Sequence, residues 1–263
     1  MYSTISYSPD GEYVMVGTID KPFSYIVTFR RFPSSTRIFT KSGEYVETVA
    51  TVPLIEDLPK GFMATRTGRR GFTWRSDEGA TLVFAEALDK GDPAVDVTHR
   101  DEVFVLHAPF NGKPRSICKT INRYSGVIWG NSNTAIVSDY WWNTRNTKTY
   151  VIDPSKSNDN PTILFDRNYQ DRYSNPGQFT RERGKYGRSV LTLDKGHVFL
   201  IGDGYTKSGQ FPFLDKMHLG TKKTERLYES RFENKLENLY TYDHKTESIL
   251  VRIESKNEFP NYY

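Results

Sequence analysis

Apolar and polar positions alternate over short runs, and the runs come in pairs. At 14–19, Val14, Val16 and Thr18 share one side, and Met15, Gly17 and Ile19 the other. That is the period of two of an extended strand. Both sides are fairly apolar, the pattern of a strand covered on both faces. Residues 5–19, 72–87, 125–142, 189–204 and 237–255 each hold a β-prone run, a polar turn and a second β-prone run. Residues 35–52, 100–120, 146–166 and 213–230 supply a second hairpin after each of the first four. Two hairpins make a four-stranded antiparallel sheet, and radially stacked sheets of this kind are the blades of a β-propeller. The expectation is an all-β chain, a partial propeller over 1–263 with about four and a half blades in an open arc.

Turn chemistry agrees with the pairing. Pro9-Asp10-Gly11 presets φ with proline and supplies positive φ with glycine. Ser42-Gly43, Asn111-Gly112 and Lys195-Gly196 stand in comparable places. The turns near 11, 79, 131, 196 and 245 lie about 50–70 residues apart, which is long for a blade and implies sizeable loops. Helical periodicity is almost absent. The chain reads as a segment of something larger, with unpaired strands at its ends that favour self-association.

Composition narrows the function classes. The aromatic content of 14% beside a hydrophobic content of 37% suits half-buried strands. A net charge of +4 over 263 residues, with no long basic run, gives no argument for nucleic acid. No apolar stretch is long enough to span a membrane. Cys118 is alone, so its default is a buried, inert thiol.

Catalytic motifs are mostly missing. There is no G-x-S-x-G elbow and no H-E-x-x-H, and the five histidines are scattered. Residues 153–164 imitate a calcium loop through Asp153, Ser155, Ser157 and Asp159. Asn158 and Leu164 stand where Gly and Glu are needed. No metal or other cofactor is expected.

The long loops 53–71, 85–101 and 166–187 are the natural carriers of function on a rigid scaffold. An arginine–aromatic group stands out: Trp141, Trp142 and Arg145 lead into one long loop, and Arg167, Arg172 and Tyr173 sit in another. Arginine forks grip carboxylates bidentately, so a cavity lined by these residues would favour an acidic ligand. The plainer reading is that they stack and pair locally, for example with Asp139, Asp166 or Asp171.

Several runs are similar to the propeller region of the glutamyl endopeptidases, serine peptidases of the prolyl oligopeptidase clan. The most specific are W-R-x-D-x-x-A-T-L-x-x-x-E-A-L-D-x-G-D-P from Trp74 and D-R-x-Y-x-D-R-Y-S-x-P-G from Asp166. Others are 7–13, 21–33, 53–62, 100–110, 212–219, 224–230 and 254–263, in order along essentially the whole chain. The resemblance implies an N-terminal propeller capping a C-terminal α/β-hydrolase domain that carries the catalytic triad. No catalytic residue falls within this chain, which is expected to be inactive alone. The implied role is to gate or select peptide substrates, with cleavage after glutamate. The rival readings are a stand-alone propeller serving as a binding or scaffold module, and a small enzyme built on propeller loops.

Overall fold

The computed structural model describes residues 1–157 and 161–263. The first sheet pairs β1 (Tyr2–Tyr7), β2 (Tyr13–Ile19), β3 (Ser34–Thr40) and β4 (Tyr45–Val52) in chain order. The second pairs β5 (Arg70–Trp74), β6 (Thr81–Ala87), β7 (Asp101–His107) and β8 (Arg115–Thr120) likewise. The third holds β9 (Arg123–Asn131), β10 (Thr134–Trp141), β11 (Asn146–Ile152) and β12 (Thr162–Asn168). All neighbours are antiparallel. These three blades match the hairpin pairs read from the sequence. The only helical turn among the described residues is a 3-10 turn at Phe29–Arg31.

The fourth blade departs from expectation. The sequence reading pairs the run starting at Ser189 with the strand that follows it. In the structure, β13 (Gln178–Phe179) takes most of that place. Then β14 (Arg181–Arg183) and β15 (Ser189–Leu191) pair with each other as a separate hairpin. The sheet order is β13, β16 (His197–Gly202), β19 (Phe213–His218) and β20 (Thr224–Glu229). Between the middle two lies a small hairpin of β17 (Tyr205–Thr206) and β18 (Gly209–Gln210). The inner strand is therefore interrupted. It runs to Thr180, whose N–H bonds Phe199 O at 2.8 Å, leaves as a hairpin, and rejoins at Asp194, bridged to His197. The fifth sheet has three strands: β21 (Leu236–Asp243), β22 (Ser248–Ser255) and β23 (Glu258–Tyr262).

Alternation explains how the blades stack. On β6, Leu82 and Phe84 pack with Met15, Ile38 and Val49 of the first blade, while Val83 packs with Trp129, Val137 and Tyr150 of the third. On β10, Ala135 and Val137 face the second blade, and Ile136 packs with Leu191, Val198, Leu200 and Met217. One strand thus feeds two cores, which is why neither of its sides is polar. Cys118 lies in the core between the second and third blades, and burial pushes its thiol up to about 12. The inert thiol expected from the sequence fits that environment. Asn158 and Asp159 of the calcium-like run lie outside the described residues. Among those described, no cluster of three or more His, Cys, Asp or Glu could hold a metal. No helix there is long and apolar enough to cross a membrane.

Candidate functional site

The first strands of the blades border a shared central space. β1 and β5 flank a cavity of about 480 Å³, with Arg188 in its wall. β5 and β9 flank a second of about 610 Å³, with Arg181 and Ser189 in its wall. The β14–β15 hairpin reaches both.

Its sequence dictates its shape. Gly184 and Gly187 make the reversal: Gly187 has φ of 70°, its N–H bonds Gly184 O at 2.9 Å, and Gly184 N–H bonds Arg188 O at 2.8 Å. Val190 and Leu191 anchor the returning strand in buried surroundings. At the far end, the Arg188 guanidinium donates to Tyr7 O at 3.0 Å, joining the fourth blade to the first. On the other side, Glu182 lies 3.6 Å from Lys245 of the fifth sheet. The hairpin is a strap across the centre of the arc, bearing Arg181, Arg183, Lys185 and Arg188 against the single acid Glu182.

The arginine–aromatic residues picked from the sequence lie elsewhere. They occupy loops joining second to third strands or blade to blade, whereas the strap reaches Tyr7 and Lys245 beside first-to-second-strand turns. In an antiparallel four-stranded blade these two sets of loops emerge at opposite ends. Within that set they form three local groups. Arg145 stacks on Trp142 at 3.8 Å and donates to its carbonyl; Phe62, from the 53–71 loop, covers the same ring at 5.1 Å. Trp141 is buried beneath Arg100, at 4.0 Å. Arg167 donates to Asn168 O, Asp171 O and the Asn175 side chain at 3.1–3.2 Å. Asp171 turns its carboxylate to the N–H groups of Tyr173 and Ser174, which with the Ser174 hydroxyl holds it below the usual carboxylate range. Arg172 covers Tyr205 at 4.9 Å, and Tyr173 is 68% exposed.

A third set of arginines lies deeper. Arg123 donates to both oxygens of Asp89 at 2.8 and 2.7 Å, to Asp101 at 3.0 Å and to Met63 O at 2.9 Å. Arg100 also reaches Asp89 at 2.8 Å, and Arg70 pairs with Asp101. This ties a blade-linking loop, the β6–β7 turn and β9 into one unit. Asp101 and Asp89 are buried. Burial alone would raise the Asp89 carboxyl, but hydrogen bonds from Arg123 and Arg100 outweigh it and leave it lowered.

No protein-family model matches the chain. Two curated relatives do. One is described as "Probable glutamyl endopeptidase, chloroplastic" of Oryza sativa subsp. japonica, 37% identical over all of this chain and 30% of its own length. The other has the same description, is from Arabidopsis thaliana, and is 36% identical over all of this chain and 29% of its own length. Along its whole length the chain is glutamyl endopeptidase-like. It spans about three-tenths of the relatives it matches. Among solved structures, the β-propeller domain of the Trilobed protease from Pyrococcus furiosus aligns over 100% of this chain and 70% of its own, at 9% identity and a TM-score of 0.48. The propeller assignment rests on the strand order and the shared cores described above.

In this glutamyl endopeptidase-like chain, the residues that carry the resemblance are largely braces. Arg75, buried, forks onto Asp77 at 2.9 and 2.7 Å, reaches Glu78 at 2.9 Å and stacks on Trp129 at 4.4 Å. Asp89 anchors Arg123. Gly91, at φ of 79°, passes so near Thr65 that a Cβ would meet its carbonyl oxygen at 1.9 Å. Gly177, at φ of 93°, similarly lies against Ile201. Sequence reasoning singled out neither Arg70, Arg123 nor Arg181. The signal for the strap was present: two glycines three apart, Gly184 and Gly187, inside a basic run that ends in a β-prone segment.

Proposed function

We propose that this chain is the propeller portion of a glutamyl endopeptidase-like serine peptidase, and that it governs which peptides reach a hydrolase domain carried elsewhere in the whole protein. The observation that supports it is the strap. A propeller that leaves its centre open gives an axial route; β14–β15 lies in that route, with Arg188 on Tyr7 and Glu182 near Lys245. Its basic residues repel cations and attract acidic chains. The chain itself performs no peptide hydrolysis in this reading. The loop-end group of Trp142, Arg145, Arg167, Arg172 and Tyr173, on the buried base of Trp141, forms a second surface that meets peptide or the hydrolase domain.

The test uses the full-length protein with residues 183–187 replaced by Asn-Gly. Opening the centre is expected to raise kcat/KM for long glutamate-containing substrates relative to short ones. An unchanged ratio overturns the gating role. The stand-alone binding module is the second reading, favoured by the presence of walled cavities within the chain alone. Labelling of the full-length protein by a serine-reactive fluorophosphonate separates the two.

A further inference from the structure

We infer that the cavity between β5 and β9 is a pocket for a peptide carboxylate, with Arg181 as its grip and Arg70 as a second positive wall. The inference adds a ligand chemistry to the peptide-handling role proposed above.

Charge in and under this cavity does not cancel. Its wall includes Arg70 and Arg181 and no aspartate or glutamate. Beneath the wall, three guanidiniums, of Arg70, Arg100 and Arg123, share two carboxylates, of Asp89 and Asp101. That leaves one positive charge in surplus. Asp101 accepts from Arg123 on one oxygen and from Arg70 and the N–H of Tyr124, at 2.8 Å, on the other. Arg70 binds it through Nη2, and its Nη1 is buried with no hydrogen-bond partner among the described residues. A buried donor without an acceptor is unfavourable, and bulk water does not reach this one. Shut off from the cavity as well as from water, that atom leaves Arg70 to act on a ligand through its charge.

Arg181 is the opposite case. It is exposed, and among the described residues it holds neither an ion pair nor a side-chain hydrogen bond. Its backbone is fixed by the β14–β15 pairing with Leu191, so the guanidinium is presented by a rigid element and needs no loop to be ordered. A planar fork with all its donors free matches a carboxylate. Ser76, Ser125 and Ser189 add hydroxyls, while Trp74 and Trp129 give apolar walls for the rest of a peptide. At about 610 Å³ the cavity is large enough for a few residues. The carboxylate comes from an acidic side chain or a chain terminus, and the same donors serve both.

The 263-residue chain carries the test, read by fluorescence of its tryptophans and by calorimetry. Three pentapeptides are titrated at low salt: one with a central Glu and both ends blocked, its Gln counterpart, and the Gln peptide with a free C-terminal carboxylate. The blocked Glu peptide is expected to bind about tenfold more tightly than the blocked Gln peptide, as one charge-assisted pair would give. Tight binding of the third peptide instead would assign the pocket to chain termini. Arg181→Gln touches no packed side chain and should abolish the preference with the circular dichroism spectrum unchanged. Arg70→Lys keeps the charge and the Asp101 pair, and should weaken binding severalfold less. Equal binding of all three peptides, inorganic phosphate competing as well as the Glu peptide, or a preference that survives Arg181→Gln would overturn the pocket. None of these readouts depends on hydrolysis, so the pocket can stand where the gating role fails, and the reverse.

Discussion

Arg123 and Arg181 are the same residue type in two opposed situations. Arg123 lies buried at the start of β9 and spends its donors on Asp89, Asp101 and two backbone carbonyls. Arg181 lies exposed on the strap and spends its side-chain donors on nothing among the described residues. The difference is one of desolvation. A guanidinium taken out of water must recover its hydration from fixed partners, so its surroundings become structural. One left at a cavity wall keeps its donors for whatever arrives. The comparison predicts that stability and recognition separate between the two.

The largest expected effect is that of Arg123→Met, which leaves Asp89 and Asp101 under-compensated in the interior. A loss of about 3–5 kcal/mol is expected, read as a lower urea midpoint. A loss below about 1 kcal/mol would place Arg123 with ordinary surface pairs and dissolve the contrast.

Next comes pH. The folded Asp89 carboxyl is lowered, so its stabilising contribution is complete above the unfolded value of about 4 and is lost as pH falls through the folded one. Asp139 has the opposite sign. Burial raises it despite hydrogen bonds from Tyr150, Asn122 and Lys148, so its ionised form gives up stability as pH rises through the raised value. Unfolding midpoints measured from pH 7 downward should therefore rise first and then fall below about pH 4. In Arg123→Met the acid fall should be shallower, because the main partner lowering Asp89 is gone. An unchanged acid limb would detach that behaviour from the network.

The smallest effects belong to arginines that lie exposed, as Arg188 does, or half-buried, as Arg145 does. Arg188→Ala and Arg145→Ala are each expected to change stability by less than about 0.5 kcal/mol. For Arg188→Ala, amide exchange at Tyr7 and across 181–191 should nevertheless quicken, since its bond to Tyr7 O holds the strap to the first blade. Unaltered exchange would show that the strap is held by Val190 and Leu191 alone.

Much of the architecture was legible. Hairpins with Gly11, Gly43 and Gly196 at their reversals fall where the turn chemistry put them, and all three glycines have positive φ. The fourth blade was misread because Ser189–Leu191 has the same local pattern as a blade strand. Its true partner, Arg181–Arg183, is also extended and nearby, and local pattern cannot rank two available partners. The site was less legible for a similar reason. Loop arginines beside tryptophans attract notice, yet Arg145 and Arg172 meet aromatic rings in their own region. Arg70 and Arg181 sit 111 positions apart and share a wall only because two blades and a strap converge.

Sequence by itself determined the strands, their pairing into blades in all but one place, the inert cysteine, and kinship with the glutamyl endopeptidases. Those are properties of near neighbours along the chain, or of patterns shared with relatives. Tertiary structure alone decided which arginines are buried and which free, and that a hairpin from the fourth blade reaches the first. Burial and long-range contact depend on where the blades stand in space, and charge becomes chemistry only once its surroundings are fixed.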